Sequence, residues 1–131
     1  MFSDIAGVRA ALKERLAESV PAAWQIDEFI REAPTEYRYP QVIFVFDRLE
    51  RTVNGQPLAS GFVAAAVDIV VGSPLTVEDE GEGDADELAL TLVRVIDNQS
   101  DMYWDSAEKQ KLPAGQWGWR IHTLVITESK E

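Results

Sequence analysis

The sequence predicts an α+β fold: a single domain over residues 1-131, in which a four-stranded, mostly antiparallel or mixed sheet carries two helices on one face, in the order α-β-β-β-α-β. Three observations predict it. Apolar residues recur at intervals of three and four in two segments, which is the helical period. Elsewhere they alternate with the strand period of two or, at Val42 to Phe46, run without a break as in a strand covered on both faces. The chain has 131 residues, 46% hydrophobic and 27% charged, a globular balance at a length that suits one core.

Each element follows in order. From Ser3 to Val20, Ile5, Val8, Leu12 and Leu16 line one side of a helix and Arg9, Lys13, Glu14 and Glu18 the other. Ser3 stands at the N-cap position and Pro21 where a helix must have ended. Trp24, Ile26, Glu28 and Ile30 then alternate with Gln25, Asp27, Phe29 and Arg31, which reads as a half-exposed edge strand closed by Ala33-Pro34. Val42 to Phe46 is apolar on both faces and predicts a central strand covered on both sides. Phe62 to Val71 predicts the next strand, and Asn54-Gly55 between them marks the tip of a long hairpin.

The acidic stretch from Glu78 reads as a solvated loop leading to a second helix that opens at Asp84-x-x-Glu87, a spacing like that of a capping box. Its buried stripe is Ala85, Leu88, Leu92, Val95 and Ile96, widened by Ala89 and Val93. Ser100 to Gly115, holding Tyr103-Trp104 and Lys109-Gln110-Lys111, reads as a polar loop. The last strand, Gln116 to Thr127, sets Trp117, Trp119, Ile121, Thr123 and Val125 against Gly118, Arg120, His122, Leu124 and Ile126.

Charge narrows the function. Twelve Lys and Arg against 23 Asp and Glu give a net charge of −11, and no basic run exists to neutralise a phosphate backbone or an anionic membrane. Seven of the acids fall between Glu78 and Glu87, a stretch without a base, so the rest of the chain is nearly balanced. With no cysteine there is no disulfide, thiolate nucleophile or Cys-ligated metal. The amphipathic N-terminus lacks the apolar run of a signal peptide, and no segment is apolar for long enough to span a bilayer.

Candidate chemistry is sparse. His122 is the single histidine, with no Ser or Cys motif beside it, and its expected role is that of a packed strand residue. An EF-hand reading of Glu78, Glu80, Glu82 and Gly83 fails because the bidentate acid would fall on Ala89. The acids around Gly81-Glu82-Gly83 would repel a phosphate. Asp27 with Glu28, or Asp47 with Asp68, are carboxylate pairs whose simplest role is solubility. No catalytic residue, metal or cofactor is expected. Apolar and aromatic side chains, by contrast, exceed what two modest helices can cover: Phe44, Phe46, Phe62, Trp117, Trp119 and the Tyr103-Trp104 pair. Such aromatics are enriched at the cores of interfaces, which points to subunit contact.

The layout resembles that of the tail terminator proteins of long-tailed bacteriophages, the minor tail protein U type. The resemblance rests on element order across nearly the whole chain, on the Pro-led strand Tyr39-Pro40-Gln41-Val42-Ile43-Phe44-Val45, on a helix opened by acids at Asp84-Ala85-Asp86-Glu87-Leu88, and on the aromatic-led last strand from Trp119 to Thr127. It implies a structural protein, not an enzyme: a hexameric ring that caps the tail tube, ends its polymerisation and docks the head connector. It places the protein in the virion, at the head-proximal end of the tail, after assembly in the host cytoplasm, with no membrane partner.

Under that resemblance, Arg48, Arg51, Asn54, Gly55, Tyr103, Trp104, Lys109 and Lys111 are expected to meet the tube protein or the connector. Phe44, Phe46, Phe62, Trp117 and Trp119 belong to the core or the subunit seam. Glu78, Asp79, Glu80, Glu82 and Asp84 are expected on the lumen or an end face, where like charge lets DNA pass without binding. A head-completion or neck protein is the neighbouring alternative. A small α/β ligand-binding or hydrolytic domain using Asp47, Asp68 or His122 is the alternative from another class.

Overall fold

A computed structural model describes residues 5–21, 24–27, 40–53, 55–75, 78–112 and 116–128. The elements are α1 (Ile5–Ser19), β1 (Gln25–Asp27), β2 (Gln41–Glu50), β3 (Thr52–Val53), β4 (Gln56–Pro57), β5 (Phe62–Gly72), α2 (Glu78–Asp97), β6 (Met102–Lys111) and β7 (Trp117–Glu128). The chain is a small α+β domain in which a mostly antiparallel sheet is packed by two helices. The main sheet has five strands, not four, in the order β1-β2-β5-β7-β6. Strand β1 runs parallel to β2, and the other pairings are antiparallel.

The fifth strand is β6, which lies where a polar loop is expected. A β-bulge hides it from the sequence. Trp104 pairs with Thr123 and Ser106 with His122, so Asp105 is an extra residue that resets the alternation midway. The positions that then face the helices are Met102, Trp104, Ala107, Lys109 and Lys111, of which only Met102 and Ala107 pack with the core.

The acidic stretch is the second correction. It is the first half of α2, which begins at Glu78. Acids in the opening turn favour the helix dipole, against the cost of about 1 kcal/mol for each interior glycine. Gly81 has its own reason: a Cβ there would stand 2.9 Å from the Leu75 carbonyl oxygen. Asp84 therefore lies inside the helix rather than capping it, and accepts a hydrogen bond from the Ser73 hydroxyl at 2.6 Å.

The hairpin is as expected, with Gly55 at its tip in the left-handed region at φ 78°. Asn54, Ser3, Ala33, Pro34 and the segment from Glu28 to Arg31 lie outside the described residues. Strand β5, not β2, is the central strand, and it is buried from Ala64 to Gly72.

One cluster joins both helices to one face of the sheet. Val8, Leu12 and Leu16 of α1 and Leu88, Leu92 and Ile96 of α2 meet Phe44, Ile69, Ile121 and Val125. Each such side chain contributes about 1.5–3 kcal/mol by leaving water. Among the described residues no helix is long and apolar enough to cross a membrane.

Candidate functional site

The strands that bury apolar residues against the helices carry a mixed set on the opposite face, where no described helix packs: Asp68, Arg120 and His122 stand there among Ala64, Ala66, Val70 and Ile126. Asp68 of β5, His122 of β7 and Ser106 of β6 form one cross-strand row. Neighbours in such a row have Cβ atoms about 5 Å apart, so their side chains meet. The Asp68 carboxylate lies 2.7 Å from His122 Nδ1 and accepts from Arg120 Nη1 at 2.8 Å. Its side chain is 12% exposed, and the arginine and histidine answer its charge. A carboxylate oxygen accepts, so Nδ1 is the donor, and Nε2 lies on the far side of the ring. That nitrogen faces Glu108 at 3.6 Å, beyond hydrogen-bonding reach.

This row is the floor of a cleft of about 520 Å³. Ala66 and Leu124 complete the floor. Arg48, Glu50, Thr52 and Gly55 form one wall, from the end of β2 and the hairpin tip, and Tyr103, Trp104, Asp105, Ser106 and Glu108 form the other. Two bulges shape it. The extra residue in β2 is Asp47, between the pairs Phe46–Val67 and Arg48–Ala66, and the extra residue in β6 is Asp105. They bracket the single row Phe46–Val67–Thr123–Trp104. Bulges bend a strand and raise its twist, so both flanks of the sheet turn at the level of the cleft.

Arg48 is held between Asp47, at 2.7 Å, and Glu50, whose carboxylate takes its Nε hydrogen. The Glu50 hydrogen bond is the main reason its pKa lies above the usual arginine value. Tyr103 and Trp104 are 42% and 37% exposed, the indole N–H of Trp104 donating to Asp97.

The structure sorts the expected site residues. Arg48, Gly55, Tyr103 and Trp104, chosen from two distant stretches, converge on this cleft. Arg51 is exposed at the base of the β3–β4 tip. Lys109 and Lys111 do not join them, because they point to the helix-covered face. Lys109 binds Asp86 at 3.0 Å and Glu82 at 3.6 Å and lies over the rings of Trp117 and Trp119. The Asp86 hydrogen bond is the largest cause of its raised pKa. Lys111 lies 4.2 Å from the Trp117 ring centroid.

The aromatics expected to be in excess are mostly absorbed by the chain itself. Phe44 is buried, Phe46 lies under the Arg9 guanidinium, and Trp119 packs on the core while donating to Asp86. Trp117 and Phe62 are half-buried. Of that set Tyr103 and Trp104 stay exposed, together with Leu49, Leu75 and Leu90, which the sequence did not single out. Asp47 and Asp68 do not form a pair, since Asp68 stands opposite Val45 and Asp47 binds Arg48. Glu78, Asp79, Glu80 and Glu82 lie on α2, not in a loop.

Sequence reasoning missed Ser106, Asp105, Glu50 and Glu108 as cleft residues. The segment Met102–Lys111 gives no alternating apolar signal that could have placed them on a strand. Among the described residues no group of acids and histidine is arranged to hold a metal. No protein-family model matches the chain, and no curated protein matches it in sequence.

Proposed function

We propose that this chain is a structural protein of phage tail assembly, a subunit of a ring that caps the tail tube, ends its polymerisation and docks the head connector. The observation that carries the reading is the convergence of the hairpin and the Tyr103–Trp104 segment on one cleft beside a free sheet edge. Among the described residues no strand pairs with the outer edge of the ten-residue β6. A long open edge with exposed Tyr103 and Trp104 invites another chain, and a head-to-tail contact that closes on itself makes a ring. The expected homo-oligomer is hexameric, and its partners are the tail tube protein and the connector.

The acidic half of α2 supports passage of DNA without adhesion. Lys109 offsets part of its charge at Glu82 and Asp86, and Glu80 and Glu87 stay exposed. Native mass spectrometry with negative-stain imaging tests the reading. Sixfold rings are the expected species, and a chain that stays monomeric and forms no ring on assembled tails contradicts it. A head-completion or neck protein would bind the connector but not the tube, so pull-down against each separates the two.

A second reading rests on the Asp68–His122 pair. An imidazole fixed by a carboxylate, with Ser106 next to it in the row, has the residue types of a hydrolytic site. Ser106 makes no hydrogen bond to the ring among the described residues, which favours a structural role for the pair. Fluorophosphonate labelling of Ser106 that is lost in His122→Gln would support hydrolysis, and an unlabelled chain excludes it.

A further inference from the structure

We propose that the cleft on the helix-free face receives an arginine side chain of a partner protein. The proposal rests on reading this face as the docking side of an assembly protein, and names the chemistry of the contact.

Charge decides the sign of the occupant. Four carboxylates line the cleft, from Glu50, Asp68, Asp105 and Glu108, against one guanidinium, that of Arg48. Asp68 is answered by Arg120 and His122, and Glu50 by Arg48. Asp105 and Glu108 are not answered: among the described residues Asp105 makes no ion pair, and Glu108 faces only the imidazole at 3.6 Å. A cation entering between the walls meets both without having to displace an existing partner.

Shape and chemistry then select arginine over lysine. The wall that carries the two unanswered carboxylates also carries Tyr103, whose ring is exposed enough to receive a planar group. A guanidinium stacks on such a ring while its N–H fork reaches carboxylates, and it is more weakly hydrated than an ammonium. A volume of about 520 Å³ accommodates one long side chain with part of its backbone. An anionic or apolar occupant would leave Asp105 and Glu108 opposed or desolvated.

The test uses the ¹⁵N-labelled full chain titrated with the capped tripeptide acetyl-Gly-Arg-Gly-amide. Saturable shifts are expected at the backbone amides of Ala66, Tyr103 to Glu108 and His122. Glu108→Gln and Asp105→Asn, both exposed changes, should each weaken binding about two- to fivefold, the range of a partly exposed ion pair. The acetyl-Gly-Lys-Gly-amide peptide should bind more weakly, and the Glu counterpart should cause no saturable shift. The proposal is overturned if the Arg peptide gives no saturable shifts in the cleft, if the Glu peptide shifts the same signals, or if the two variants bind as well as the parent. Ring formation is read separately by native mass. A ring whose cleft ignores the peptide removes this inference alone, whereas a monomer that binds it removes the ring and keeps the cleft.

Discussion

The two faces of the sheet are made by the same strands and obey opposite rules. On one, Phe44, Ile69 and Ile121 stand in a row under the helices and are essentially inaccessible to water. On the other, one residue along each strand, Val45, Asp68, His122 and Ser106 form a row in which Asp68 and His122 bond to each other. The first face holds the fold together by area removed from water. The second is buried along β5 but leaves Arg120, His122 and Leu124 of β7 part-exposed and Tyr103, Ser106 and Glu108 of β6 exposed, which frees them to be chosen for contact.

The largest effect tests the covered face. Phe44→Ala should cost about 3–5 kcal/mol, read from urea denaturation, because it opens a cavity between α1 and the sheet. On the other face, Asp68→Ala should cost about 1–3 kcal/mol, since Arg120 and His122 lose an acceptor but are about one-third exposed and regain water. If Asp68→Ala were as damaging as Phe44→Ala, the contrast between the faces would not hold.

A smaller pair of variants sharpens what covers the first face. In α2, Gly83→Ala should stabilise by about 0.5–1 kcal/mol, as a Cβ there meets nothing within 4 Å. Gly81→Ala should yield no gain, because its Cβ would press on the Leu75 carbonyl. Equal gains at both positions would show that the Leu75 contact does not constrain the helix start. The smallest effect is that of Lys109. Its raised pKa means that its folded-state partners favour the charged form, so its contribution is present below the usual lysine value and is lost as pH rises past the folded one. Lys109→Met should therefore flatten the alkaline limb of thermal stability, and an unchanged limb would show that Asp86 and Glu82 contribute nothing.

These two faces also explain what the sequence could and could not reveal. Both helices and β7 were legible because a helical or strand period survives along them, and β5 because its apolar run is long and unbroken but for Asp68. Their buried residues, from Val8 to Leu16 and from Ala85 to Ile96, are those the pattern selects. Strand β6 was not legible, since the bulge at Asp105 breaks its period and lysines occupy core-side positions that they cover with long apolar stems. The early start of α2 was hidden by two glycines, one of which is needed only because of a contact with Leu75 that no local pattern records. The cleft depends on the pairing of β5, β7 and β6, which is non-local. Asp68 and His122 lie 54 residues apart and meet only through register.

The central claim is that the helix-free face and the β6 edge make the contacts. Amide hydrogen exchange compared between the assembled protein and the dilute chain tests it most directly. Added protection is expected over Met102–Lys111 and the hairpin from Thr52 to Pro57, with the outward side of α2 unchanged. Protection gathered instead on the outer surfaces of α1 and α2, with the β6 edge exchanging as freely as before, would contradict the account.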